Sequence, residues 1–396
     1  MSRSRSRRQC ARRSRGAALL ALTAAGAHAL TVRAIVAQEA APASGARCEA
    51  PIGGVETRCA MLRVPAGYAV RTIRTQPSDA PPRRLPALLF VQWLSCDPVA
   101  IPDSQPDGWA LMLADMARRS GAIMMRTEKT GIGGSGGPAC ATLGYDDELA
   151  LHRASLAALR RDPAVDTTRI VLVGGSMGGT MVPLLAADAP GLAGIVVWGT
   201  TTLTWGEHLV RLDRRVLEGR VTRSRPAQAP AQVAGVMPMQ LRWHAQWLAP
   251  GAEPHALAAR DTALAAAWAR QLGVDTAART LYGRSTRFHQ EAAAQPWERA
   301  WREVAARGVR VAVLRGACDA LMDREEHERI RDIVQGVSPA LATFDEVPAT
   351  THGLLASDGC EARRDATTWS PPRYDGRATA ALLARVAAML APAPRR

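Results

Sequence analysis

Ser176 is the residue whose type and setting could do chemistry most directly. It stands in Gly174-Gly175-Ser176-Met177-Gly178, after an apolar, largely β-branched run at 170–173 and before a stretch of small and apolar residues that continues to Asp188. A strand, a sharp turn and a helix with serine at the apex would strain the serine backbone and lift its hydroxyl clear of the sheet, the setting of a nucleophilic serine. Gly174 and Gly178 fit that reading, because a β-carbon at either place would strike the neighbouring strand or helix. The bare five-residue pattern arises often by chance, and an ordinary Gly-rich strand–helix turn is the plainer alternative. The flanking elements give the pattern its weight.

A serine nucleophile needs a base within hydrogen-bond reach and a carboxylate to orient that base. In this strand–turn–helix setting they follow in the chain order serine, acid, histidine. Beyond residue 37, His152 precedes the serine in a helical stretch, His208, His244, His255 and His289 share one long interval, and His327 lies in a charged helical stretch. These read as surface or hydrogen-bonded structural residues. His352 alone falls in a loop directly after a late strand, within Thr351-His352-Gly353, and is the expected base. Asp319, the first carboxylate after the strand expected at 309–314, is the expected acid. Asp323 and Glu325 are fallbacks that read as acids of a helix N-terminus. The oxyanion of acyl transfer needs two preorganised N–H donors. One is expected from Met177, at the start of the helix. The other is expected from the loop after 85–92, at Leu94 or Trp93.

Two other patterns carry less. Residues 131–136, GIGGSG, match the dinucleotide pattern GxGxxG, but Pro138 and Cys140 follow where a helix should begin. His327-Glu328 opens like a zinc HExxH, but Arg331 stands where the second histidine is required.

The elements that must position these residues read as an alternation. Strands are expected at 55–63 and 68–75, joined by the turn Pro65-Ala66-Gly67, then at 85–92, 122–126, 170–173, 194–198, 309–314 and 341–347. Helices are expected at 108–119, 146–161, after the serine, at 324–334 and at 377–390. Strands alternating with helices imply an α/β fold with a mostly parallel central sheet flanked by helices. The interval 201–308 breaks the alternation and reads as an inserted helical cap between two late strands, so the core is expected over 55–200 and 309–396. Trp243 and Trp247, and likewise Trp297 and Trp301, stand one turn apart in that interval and read as packing residues.

Residues 1–37 pair an arginine-rich start with an alanine-rich apolar run over 16–30 and small-residue sites near 27–29 and 35–37, which reads as a removable export signal, followed by a leader over 38–54. That segment holds eight arginines and no acid, so the formal charge of +14 falls to +6 without it, and a nucleic-acid partner is not expected. The interval 201–308 carries 15 arginines against 9 acids, which equals that whole surplus. A solvated arginine face is the plainer reading of it, and attraction to anionic substrates the sharper one. No apolar stretch beyond residue 40 is long enough to span a bilayer. Six cysteines lie beyond residue 37, an even count that favours disulfides in an exported chain. Cys48–Cys59, Cys96–Cys140 and Cys318–Cys360 are the expected pairs, by closeness in sequence and by the loops they would join. No CxxC spacing suggests zinc, and neither metal nor cofactor is expected.

GGSMGG at 174–179, RTEKTGIGGSGGPAC at 126–140, GACD at 316–319 and THG at 351–353 together resemble the α/β-hydrolase superfamily, over roughly residues 55–392. The likeness is to exported bacterial members akin to dienelactone-hydrolase-like esterases and to serine peptidases of the same fold. The second segment departs from the family in having Glu128-Lys129 where Arg-Gly is usual. The resemblance implies Ser176, Asp319 and His352 as the triad, the same three residues reached above. The expected function is an exported serine hydrolase, periplasmic or secreted, acting on carboxylic esters of a small molecule. A peptidase, or an envelope binding protein that kept the fold without turnover, are the rival readings.

Overall fold

The computed structural model describes residues 39–40, 47–224, 226–272, 280–360 and 373–391. The export signal expected over 1–37 lies outside the described residues.

Nine strands form one sheet. In chain order they are β1 (Glu39–Ala40), β2 (Val55–Arg63), β3 (Ala69–Pro77), β4 (Leu85–Val91), β5 (Ile123–Thr127), β6 (Val165–Gly175), β7 (Gly194–Trp198), and, after a small hairpin of β8 (Thr280–Leu281) and β9 (Arg284–Ser285), β10 (Val311–Gly316) and β11 (Ala342–Val347). Their order across the sheet is β1-β2-β3-β5-β4-β6-β7-β10-β11. The first strands pair antiparallel, and every pair from β5 to β11 is parallel.

The central stretches of the parallel strands, such as 87–91, 170–173, 194–198 and 311–314, are apolar and buried because both of their faces are covered. Side chains alternate in direction along a strand. Leu89, Leu172 and Val313 therefore join a core under α2 (Tyr145–Arg161), α3 (Met177–Ala187), α9 (Trp297–Ala306) and α10 (Arg324–Gln335). Their neighbours Leu88, Val171 and Leu314 join a second core under α1 (Gly108–Arg119) and α11 (Gly376–Leu390). This layering, a mostly parallel sheet between helices with more helices inserted after β7, is the α/β-hydrolase fold. Parallel strands end together, so the loops after β4, β6, β10 and β11 meet at one end of the sheet.

The interval 201–308 holds α4 (Trp205–Ser224), α5 (Ala229–Trp247), α6 (Pro254–Arg260), α7 (Thr262–Leu272) and α8 (Thr286–Ala293) before α9. Helices α4 to α7 pack on one another, while α9 packs on α3 and α10 in the layer that covers the sheet. Trp243, Trp247, Trp297 and Trp301 are all buried in the core. Several arginines of the interval are ion-paired: Arg215 lies 2.8 Å from Asp323, and Arg284 lies 2.6 Å from Glu148.

Cys48–Cys59, Cys96–Cys140 and Cys318–Cys360 are all disulfides. The segment before β2 is not a simple leader. Glu39 and Ala40 pair with Leu62 and Met61, and Glu49 is buried against Arg126. Both side chains of that ion pair are fully buried, with 2.7 Å between Arg126 Nη2 and Glu49 Oε1. Arg126 also donates to the carbonyl of Val99.

A buried arginine stripped of its carboxylate loses far more than a surface pair would. Glu49→Gln is expected to cost about 3–5 kcal/mol of folding free energy. Urea denaturation against the unaltered protein measures this, and a change below about 1 kcal/mol would contradict the role given to the pair.

Candidate active site

β6 ends at Gly175 and α3 starts at Met177, so Ser176 is the whole turn. Its backbone is at φ 53°, ψ −123°, a strained conformation for a residue with a side chain. Hydrogen bonds hold it there: Ser176 N donates to Trp198 O at 2.9 Å, and Gly179 N donates to Ser176 O at 2.9 Å. Gly178 is required by close approach, since a β-carbon there would overlap the carbonyl oxygens of Val91 and Gln92 at the end of β4. Helix α3 can thus lie directly against β4 and its following loop.

His352 reaches the turn from the loop after β11. Its Nε2 is 2.9 Å from Ser176 Oγ, and its Nδ1 is 2.9 Å from Asp319 Oδ2. The loop of the acid and the loop of the histidine are fastened to each other. Cys318 N donates to Thr350 O at 2.8 Å, and Cys318 is disulfide-bonded to Cys360. The other carboxylate oxygen of Asp319 accepts from Leu321 N at 2.8 Å and Met322 N at 2.9 Å.

The Asp319 side chain is fully buried. Burial alone pushes its pKa up, but the imidazole of His352 beside it, their hydrogen bond and the Met322 amide outweigh burial and hold it at about 2. The carboxylate is therefore charged at any pH near neutrality. Asp323, by contrast, caps α10 and accepts from Glu326 N, and Glu325 is an exposed residue of the first turn.

The remaining histidines have other occupations. His208 bonds Glu326 at 2.9 Å, His244 bonds Asp213 at 2.6 Å, His289 accepts from Trp205, and His327 donates to Asp323 O. His255 is half-exposed beside Glu253, and His152 is buried in α2.

Ser176 opens on a cavity of about 350 Å³, within the range of small-molecule sites. Trp93, Trp109 and Trp198 from the core and Trp205, Leu212 and Tyr282 from the inserted segment form its walls. Met177, Trp93 and Leu94 line it too, so both expected sources of oxyanion donors face the serine's cavity. As the first residue of α3, Met177 has a backbone N–H with no partner inside the helix.

Sequence reasoning missed a group beneath this cavity. Lys129 is fully buried, and its ammonium donates to Trp93 O at 2.6 Å, Ser95 O at 3.0 Å and Leu94 O at 3.2 Å. Glu148 lies 2.8 Å from the same ammonium and 2.6 Å from Arg284, and Arg284 also donates to Leu94 O at 2.9 Å. One signal pointed here: Lys129 is the only lysine in the chain.

No protein-family model and no curated protein matches the sequence. Among solved structures, the chain is similar to carboxyl esterase 2 from the mycorrhizal fungus Tuber melanosporum (14% identity, 89% of each chain covered, TM-score 0.46). It is similar also to a bacterial heroin esterase (13% identity, 87% of each chain, TM-score 0.47). A third is a Mycobacterium tuberculosis puromycin-hydrolyzing peptidase (14% identity, 84% of this chain and 40% of that one, TM-score 0.47).

The depressed pKa of Asp319 makes stability depend on pH with a definite sign. Between about 2 and the ordinary value of 3.8, the folded chain binds less of a proton at this site than the unfolded chain does. The contribution, about 2 kcal/mol, is complete above pH 4 and is lost as pH falls toward 2. The stability gap between the unaltered protein and Asp319→Asn, from urea titrations, should narrow by that amount between pH 5 and pH 2. A gap that stays constant would contradict it.

Proposed function

We propose that this protein is an exported serine hydrolase that cleaves carboxylic esters through an acyl-enzyme on Ser176. The observation that carries the reading is the single imidazole, His352, within 2.9 Å of both a strained serine hydroxyl and a buried, charged aspartate. In this reading His352 Nε2 takes the proton as Ser176 Oγ forms a bond to the ester carbonyl carbon. The Met177 N–H and one from the loop after β4 receive the oxyanion. The intermediate collapses with cleavage of the ester C–O bond, and the leaving alkoxide takes the proton from His352. Water then repeats the sequence on the acyl-enzyme, releasing the acid and restoring Ser176. Asp319 keeps the proton of His352 on Nδ1 and stabilises the imidazolium as it forms.

The walls of the cavity favour esters over peptides. They are aromatic and aliphatic, and among the described residues lining the cavity none is a carboxylate. An aminopeptidase has to hold the α-ammonium of its substrate, and a carboxylate is the ordinary partner for that charge. A neutral ester with an apolar acyl or alcohol group of a few carbons suits these walls. Three disulfides support an oxidising compartment, hence periplasm or medium, as the place of action.

Purified protein should hydrolyse p-nitrophenyl butyrate faster than any aminoacyl p-nitroanilide by at least about 100-fold in kcat/KM. Ser176→Ala should lower the ester rate by about 10³-fold or more. Release of p-nitroaniline at rates equal to ester cleavage would favour the peptidase reading. Absence of both activities from folded protein would leave the binding-protein reading standing.

A further inference from the structure

We infer that Lys129 is a positioning residue for the oxyanion site: it holds the loop after β4 by its carbonyls so that the N–H of Leu94 is turned toward Ser176. The inference rests on the hydrolase reading above and deepens it.

An ammonium has three donors, and those of Lys129 are shared among three consecutive carbonyls, those of Trp93, Leu94 and Ser95, and the carboxylate of Glu148. In a trans peptide the C=O and the N–H of the following residue point in opposite directions. Drawing the Trp93 carbonyl onto Lys129 therefore turns the Leu94 N–H away from the lysine. Lys129 is fully buried behind the loop, while Trp93, Leu94 and Ser95 line the cavity that holds Ser176. The side of the loop opposite Lys129 is thus the side of the serine. The Trp93 N–H belongs to the preceding peptide, whose Gln92 carbonyl faces Gly178 and not the lysine. Of the two candidate donors, Leu94 and not Trp93 is the one that this arrangement orients.

The lysine is itself held. Glu148 of α2 lies 2.8 Å from it, and the second carboxylate oxygen of Glu148 takes Arg284, which reaches in from the inserted segment and donates to Leu94 O. The Cys96–Cys140 disulfide closes the same loop one residue further on. Lys129, Arg284 and Glu148, all closed off from solvent, together carry one net positive charge behind the loop, the sign that favours a developing oxyanion. Burial lowers the pKa of Lys129 to about 8, with Arg284 adding to the fall and Glu148 opposing it, so the ammonium form prevails at neutral pH. Arg284 also gives the inserted segment a direct hold on the catalytic loop.

The test compares the unaltered protein, Lys129→Met and Glu49→Gln on p-nitrophenyl butyrate, with a butyl trifluoromethyl ketone as inhibitor. That ketone adds to a nucleophilic serine to give a charged hemiketal, so its affinity reports the oxyanion site. Lys129→Met should lose about 100-fold or more in kcat with KM changed less than about 3-fold, and its ketone affinity should fall in step with kcat/KM. Glu49→Gln, which breaks a buried ion pair holding the far end of the same loop at Val99 and Ile101, should lose stability while keeping kcat within a few-fold. A folded Lys129→Met with unchanged kcat and ketone affinity overturns the inference.

If Lys129→Met does not fold, the unaltered protein still decides. As the only lysine, Lys129 gives a single side-chain resonance after ¹⁵N-lysine incorporation. That resonance should shift when the ketone adds to Ser176, and one that stays fixed while the ketone inhibits overturns the inference. Protein that cleaves no ester sinks the hydrolase reading and this inference together. Ester cleavage at unchanged kcat in Lys129→Met sinks this inference alone.

Discussion

The close contact between α3 and the end of β4 is the constraint on which the site depends. Gly178 lies against the carbonyls of Val91 and Gln92 with no room for a β-carbon. That approach forces the chain to turn from strand to helix within one residue, and the residue is Ser176. A wider turn would carry the hydroxyl away from His352. It would also separate the N-terminus of α3 from the loop after β4, and the two faces that could receive an oxyanion would no longer meet. The strain at φ 53° is confined to one residue and is held by backbone hydrogen bonds to Trp198 and Gly179.

Buried charge is the second organising feature. Arg126, Glu128 and Lys129 follow one another out of β5 and are all essentially inaccessible to solvent. Each is used on the loop between β4 and α1. Arg126 donates to Val99 O, Glu128 accepts from Val99 N and Ala100 N, and Lys129 donates to the carbonyls of residues 93–95. Such groups are costly to bury and carry their cost only when every one has partners. The 16-residue loop over 92–107, which has no helix or strand of its own, is thereby tied to the buried charges that leave β5. Glu49, Glu148 and Arg284 complete the set from three different parts of the chain.

Much of this could be read from residues in order. The alternation of apolar strands and amphipathic helices announced the layered sheet, because a period of two and a period near four leave different marks. Ser176, Asp319 and His352 each follow a strand with an apolar signature, and the structure brings the three side chains together. The cysteine pairs followed from the loops they join. What escaped was long-range. Nothing near Glu49 in sequence announces Arg126, and nothing near Glu148 announces both Lys129 and Arg284, since ion pairs in a core leave no periodicity. The segment 38–54 read as a leader for the same reason. The cavity walls were equally hidden, because Trp109, Trp205 and Tyr282 come together only when the inserted segment folds over the sheet.

The central claim is that Ser176 is a nucleophile activated by His352. Mass-spectrometric peptide mapping after treatment with a fluorophosphonate tests it most directly. The account predicts one phosphonate adduct, on Ser176, formed by the native protein and lost both in urea-unfolded protein and in His352→Ala. A native protein that takes no adduct, or takes it on another serine, would contradict the account.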